Sequence, residues 1–175
     1  NDICLTGDRF AYFATSFGII EYDLQNIEFR STTFTNENAA SIAADQTHLY
    51  AALDSGLYRI PRIDNSKENF SRWQKMDSLF GLPSKYKCQL VEVFNQKVYC
   101  VINKDLFVSD KGAPFEKIEL DIPSAYSIQW MSAEGSHLAI GLKDNEYGSS
   151  ARFIDAQGNV IKGGADCINR TLYGI

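Results

Sequence analysis

The stretch CQLVEVFNQKVYCVINKDLFVSDKGAPFEKIEL, Cys88 to Leu120, decides the fold of this chain. It breaks into four runs of strand length, Cys88 to Phe94, Lys97 to Ile102, Leu106 to Ser109 and Phe115 to Leu120, rich in Val, Ile, Tyr and Phe. Asn95-Gln96 and Asp110-Lys111-Gly112 separate runs with residues suited to tight turns. Four short strands joined this closely make one antiparallel sheet.

The same texture recurs on both sides of that stretch. Arg9 to Ile19 (RFAYFATSFGI), Thr47 to Leu57 (THLYAALDSGL), Lys97 to Leu106 (KVYCVINKDL) and Ser136 to Asp144 (SHLAIGLKD) align, and Arg170 to Ile175 (RTLYGI) starts a further copy. Tyr12, Tyr50, Tyr99 and Tyr173 share one column, which Ala139 fills in the fourth copy, at spacings of 38, 49, 40 and 34 residues. A repeat near 40 residues carrying four strands is a propeller blade. The expected fold is therefore all-β: a propeller of four-stranded antiparallel blades at about 1–34, 39–76, 87–120 and 125–162, with a fifth starting at 165–175. A closed four-blade ring leaves no place for that last segment, and an incomplete ring bares strand edges. The chain thus reads as part of a larger propeller of at least five blades. The first copy has strands near Asp2 to Leu5, Phe10 to Thr15, Gly18 to Tyr22 and Ile27 to Phe34, with turns at Gly7-Asp8 and Gln25-Asn26. Asp23, Asp110 and Asp155 close third strands, where the carboxylate can bind backbone in the following turn. No window shows helical periodicity, and Ser78 to Lys87 reads as an extended connection.

Composition removes whole classes of function. The 175 residues carry 17 Lys plus Arg against 22 Asp plus Glu, a net charge of -5, which lacks the basic excess that nucleic acid or an anionic membrane demands. Hydrophobic residues at 45% supply a core and exclude disorder. No run approaches 18 uninterrupted apolar residues, so no membrane span is expected. The start, Asn1-Asp2-Ile3-Cys4, has neither Met nor a signal-peptide pattern and reads as the interior of something longer.

Catalytic and metal chemistry find no footing either. Cys4, Cys88, Cys100 and Cys167 form no CxxC, and each falls in a strand-like run where a buried thiol acts as a small hydrophobe. Their even number also permits disulfides. With two histidines in the chain, zinc would need an unusual ligand set. His48 and His137 match because their copies match, each opening a second strand beside a Leu. There is no G-x-S-x-G elbow, and Gly148, Gly158, Gly163 and Gly164 make no phosphate-binding pattern. Carboxylates such as Glu116, Glu119, Glu134 and Asp144 read as solvated surface. Asn69-Phe70-Ser71 and Asn169-Arg170-Thr171 match a glycosylation sequon, of use only in a eukaryotic secretory route. No cofactor and no metal are expected.

Binding is the remaining class, and loops on a rigid scaffold are where it concentrates. In a propeller the loops joining second to third strands share a face with the connections between blades. Those loops carry Phe17, Asp54, Lys104 and Tyr147, the last in a long insertion from Leu142 to Ser150 that delays the third strand to Ala151. The connections Asp77 to Tyr86 and Asp121 to Tyr126 are expected to rim the same face.

Tyr12 to Leu24 (YFATSFGIIEYDL), Ser41-Ile42-Ala43 through Leu57-Tyr58, and Phe70-Ser71-Arg72-Trp73 carry a resemblance. They resemble the N-terminal propeller of the PorZ family, surface components of the type IX secretion system. More broadly, the pattern is similar to the two-component regulator propeller repeat, although Tyr12, Tyr50 and Tyr99 stand where those repeats usually have Trp, and only Thr15 keeps their Thr. The first resemblance implies a noncatalytic propeller in the periplasm or on the surface of a Gram-negative bacterium, holding a protein or glycan partner for cargo attachment. The second implies a periplasmic ligand-sensing propeller of a hybrid histidine kinase. A propeller hydrolase ranks third.

Overall fold

The computed structural model describes residues 2–144 and 148–162. Sixteen strands form four separate four-stranded antiparallel meanders. The first contains β1 (Asp2–Thr6), β2 (Phe10–Thr15), β3 (Gly18–Asp23) and β4 (Glu28–Phe34). The second contains β5 (Ala39–Ala44), β6 (His48–Leu53), β7 (Gly56–Pro61) and β8 (Gln74–Met76). The third contains β9 (Cys88–Phe94), β10 (Lys97–Ile102), β11 (Asp105–Asp110) and β12 (Glu116–Ile118). These three sheets make one compact unit, up to Ile118, and the fourth sheet belongs to a second unit from Glu119 onward. The expected fold of four-stranded propeller blades is the observed one. The start of a fifth copy, with Cys167 and Tyr173, lies outside the described residues.

In the first unit the inner strands of the three sheets stand side by side, and one serine joins them. Ser41 Oγ on β5 donates to Asp2 Oδ2 on β1 at 2.7 Å and lies 3.1 Å from the Val91 carbonyl oxygen and 3.2 Å from the Val91 nitrogen on β9. Ile42 N also donates to Asp2 Oδ2, at 3.1 Å. Around this axis the blades pack face to face. Tyr12, Ala14 and Ile19 of the first sheet bury against Ile42, Leu49, Leu53 and Ile60 of the second. The other side of the second sheet, with Tyr50, Leu57 and Met76, meets Cys88, Val98, Cys100 and Ile102 of the third. A middle strand covered on both sides loses the alternation of apolar and polar residues. β6 and β10 accordingly bury every residue after their first.

Turn chemistry fixes the registers. Asn95 and Gln96 both adopt positive φ, 49° and 62°, the backbone that matches strand twist in a two-residue hairpin. Gly18 opens β3 at φ 144°, and a Cβ there would overlap the Thr33 carbonyl oxygen. Asp23 Oδ1 accepts from Gln25 N and Asn26 N, both at 3.0 Å, and Asp155 Oδ1 accepts from Gln157 N and Asn159 N, as the turn argument requires. Asp110 departs from it: its carboxylate faces Lys97 Nζ at 3.6 Å, and its carbonyl closes the turn through Ala113 N.

Some expected boundaries change by more than one residue. Ser78 to Lys87 is not extended. Asp77 caps a 3-10 turn at Ser78–Phe80, Gly81 ends it at φ 79°, and Leu82 and Tyr86 fold back into the core. The Tyr86 hydroxyl then takes the Leu57 N–H at 3.1 Å and donates to the Met76 carbonyl, which pins the connection under the second sheet. The outer strand expected at Phe115 to Leu120 shortens to β12, because Phe115 and Leu120 both turn inward and are buried.

The second unit holds β13 (Ser127–Glu134), β14 (His137–Lys143), β15 (Ser149–Asp155) and β16 (Val160–Lys162). The third strand of this copy starts at Ser149 rather than Ala151 because pairing with β14 extends to Lys143. Leu120, Ile128, Leu138, Ile140, Leu142 and Ile154 are buried apolar residues of this unit. Buried Arg152 donates to the carbonyls of Leu120 and Asp121, tying the preceding connection to the sheet.

Ser41 is the hinge of the inner-strand contacts, so Ser41→Ala leaves the Val91 backbone and the Asp2 carboxylate short of a partner. It should cost about 1–2 kcal/mol. Urea unfolding of both proteins measures it, and an unchanged midpoint would remove the serine from its linking role.

Candidate binding surfaces

Phe17, Asp54 and Lys104 sit where the sequence places them, in the turns between second and third strands of consecutive sheets. Phe17, 46% exposed, stacks on Phe34 with ring centroids 6.1 Å apart. Asp54 Oδ1 pairs with Lys87 Nζ at 2.6 Å, and both side chains remain about half exposed. Lys104 is exposed at the tip of the β10–β11 turn. Tyr147 lies outside the described residues. One connection between blades meets these turns: Glu37, between β4 and β5, accepts from Ser55 N at 2.7 Å and Ser55 Oγ at 2.6 Å. The Asp77 to Tyr86 connection supplies its buried anchors Leu82 and Tyr86 to the core, so it presents less free surface than its length implies.

Two open cavities lie at the opposite end of the sheets. A cavity of about 320 Å³ opens between the second and third sheets, lined by Asp45, His48, Tyr50, Arg59, Gln96 and Lys111 among others. A second, of about 270 Å³, shares Asp45, Gln46 and Gln96 and extends to Thr6 and Gly7. Asp45, in the β5–β6 turn, organises this region. Its carboxylate accepts from Thr47 N at 2.6 Å, Thr47 Oγ1 at 2.9 Å, His48 N at 2.7 Å and the Tyr50 hydroxyl at 2.7 Å. Burial works against its ionisation, but these hydrogen bonds win and hold its carboxyl below the usual carboxylate range. Tyr50 is raised, first by burial and then by the Asp45 bond.

The Thr47 hydroxyl proton goes to Asp45, so Thr47 Oγ1 accepts from His48 Nδ1–H at 2.8 Å and leaves Nε2 as the acceptor of a neutral ring. Burial, then the nearby Arg59 charge, pushes His48 down, with Asp45 opposing. Ser136 Oγ lies 2.9 Å from His137 Nδ1 in the same way, which agrees with shared repeat geometry rather than a ligand pair. Nothing in the sequence marks these residues as one cluster. Asp45-Gln46-Thr47 is a turn signal, but the partnership of Asp45 with Tyr50 needs a strand to return beside it.

No group of three or more His, Cys, Asp or Glu poised to hold a metal occurs among the described residues. Cys88 and Cys100 are buried free thiols, as expected. Cys4 is half-buried, and burial, aided by Glu92 and Asp2, pushes its thiol up to about 11. A thiol raised in this way is a poor nucleophile.

Because the folded state disfavours His48 protonation, an unfolded chain takes up a proton that the folded chain resists once the pH drops below about 6.5. Stability is therefore lost as the pH falls from that value through the folded one. Thermal unfolding of wild type and His48→Gln at pH 7.5 and 5.5 should show the larger loss in wild type, and equal losses would refute the depressed His48.

Residues 1–74 match the family model of the PorZ N-terminal β-propeller domain. No curated protein matches the chain. Among solved structures the chain is similar to PorZ of Porphyromonas gingivalis, an essential bacterial surface component of the type IX secretion system, at TM-score 0.69 and 17% identity, covering 91% of this chain and 20% of that one. It is also similar to an extracellular domain assigned to a hybrid two component system of B. thetaiotaomicron, at TM-score 0.67 and 16% identity, covering 92% and 21%. Kuenenia stuttgartiensis hydrazine synthase aligns at TM-score 0.65 and 16% identity, covering 92% and 47%. The chain thus spans about a fifth of the length of PorZ. Over its first 74 residues it is similar in sequence to the PorZ N-terminal propeller, and over 91% of its length it shares the PorZ fold.

Proposed function

We propose that this chain is part of a noncatalytic, extracytoplasmic propeller that serves type IX protein secretion as a binding scaffold for cargo attachment, with a protein or glycan partner on the face of Phe17, Asp54 and Lys104. The match of residues 1–74 to the PorZ propeller carries the reading. The exposed apolar side chains Ile3 and Leu5 on the first inner strand, 60% and 65% accessible, suit packing against a further blade. No helix among the described residues is long and apolar enough to cross a membrane.

A second reading rests on the 320 Å³ cavity, whose size suits a small ligand, and on the similarity to the two component system domain. In that reading the propeller senses a ligand for a histidine kinase.

Deletion of the gene in the native bacterium separates the two. The scaffold reading expects type IX cargo to lose surface attachment, with rescue by wild type and not by Asp54→Ala combined with Lys104→Glu produced at the same level. Normal attachment with loss of a ligand-dependent transcriptional response would replace it by the sensor reading.

A further inference from the structure

We propose that the outer edge of the first sheet is a docking site for an extended segment of a partner protein, which adds to β4 as a fifth strand. The proposal does not depend on the secretion reading. Outer strands are where a propeller sheet exposes unpaired backbone, and natural sheets blunt such edges with short strands and lysines. β8, β12 and β16 obey this rule: each is three residues long and contains a lysine, Lys75, Lys117 and Lys162. β4 does not. It runs seven residues from Glu28 to Phe34, and beyond the bulge at Arg30 its stretch Ser31-Thr32-Thr33-Phe34 has no charge at all.

The phase of that stretch follows from two contacts. Thr35 N donates to Phe17 O at 3.2 Å, and the Thr33 carbonyl lies against Gly18. Thr33 and Thr35 therefore turn their backbone groups toward β3, and Thr32 and Phe34 turn theirs outward. No described residue hydrogen-bonds to those outward groups. A groove of about 470 Å³ runs along the same edge, lined by Arg30, Ser31, Thr32 and Phe34 on the β4 side and by Asn65, Lys67 and Glu68 on the other. The far wall is built: Thr33 Oγ1 donates to Lys67 O at 2.8 Å, Trp73 Nε1 donates to the same oxygen at 2.9 Å, and Lys67 Nζ pairs with Glu21 at 3.5 Å.

These walls define the occupant. Backbone pairing with Thr32 and Phe34 requires an extended peptide. The Phe34 ring, 62% exposed and stacked on Phe17, asks for an apolar side chain at one end. Lys67 already has Glu21 and Arg30 has Asp23 at 3.8 Å, whereas Glu68 has no ion-pair partner among the described residues, so the groove asks for one basic side chain.

Linear heptapeptides selected from a random display library on the protein provide the probe. Expected binders are rich in β-branched residues with one Lys or Arg. Their binding slows amide exchange at Thr32 and Phe34, and N-methylation of their edge-facing amides weakens them roughly tenfold. Thr32→Lys weakens them similarly, and Glu68→Gln removes the basic preference. Peptides that protect other amides, tolerate N-methylation, or bind Thr32→Lys as well as wild type overturn the proposal. So does failure to select any binder, or a wild-type dimer that Thr32→Lys turns into monomer, which would assign the edge to a second copy. The N-methyl arm uses only wild-type protein and holds even if a variant fails to fold.

Discussion

A four-stranded sheet with apolar residues on both faces has no means of covering either by itself. Stacking blade on blade is the solution seen in the first unit, where the second sheet lies between the first and third and keeps Leu49, Ala51, Ala52 and Leu53 wholly from water. At about 25 cal/mol per Å² of apolar surface, such burial dominates the favourable side of folding. The hydrogen bonds of Ser41 and Asp2 then fix how the inner strands lie against one another, since burial alone has no direction.

The packing also decides where chemistry is available. Tyr12, Tyr50 and Tyr99 fill equivalent places, all buried, so the most conspicuous aromatic column of the sequence is scaffold. The polar groups displaced to strand ends collect in two places. One end has half-exposed pairs such as Asp54 and Lys87, worth little on their own but presenting charge to a partner. The other has the Asp45, Tyr50 and His48 network around a cavity, where partial burial strengthens each bond and shifts each proton affinity. The long connections mainly stabilise. Tyr86 stitches β7 to β8, and Lys67 braces the second sheet against the first.

The strand count of each copy, the tyrosine column and the turns at Asn95-Gln96 and Asp23 were all legible in the sequence. Each depends on residues within a few positions of one another: alternation within a run, a tight turn, an Asp three residues from the amide that it caps. Inner and middle strands were legible to within a residue or two for the same reason. Outer strands were not, because Phe115 and Leu120 read as strand by composition and leave it for burial that only their neighbours define.

Sequence by itself determined the repeat, the all-β character, and the placing of Phe17, Asp54 and Lys104 in equivalent turns, since local propensity and a fixed period suffice for these. Tertiary structure alone decided that the Asp110 carboxylate faces Lys97 rather than its own turn, and that Asp45 gathers Tyr50 and His48 beside a cavity. It alone left the β4 edge open while the other outer strands stay short. The physical reason is the same in each case. A side chain chooses among partners by distance in space, and a sheet brings together residues whose separation along the chain carries no trace of that nearness.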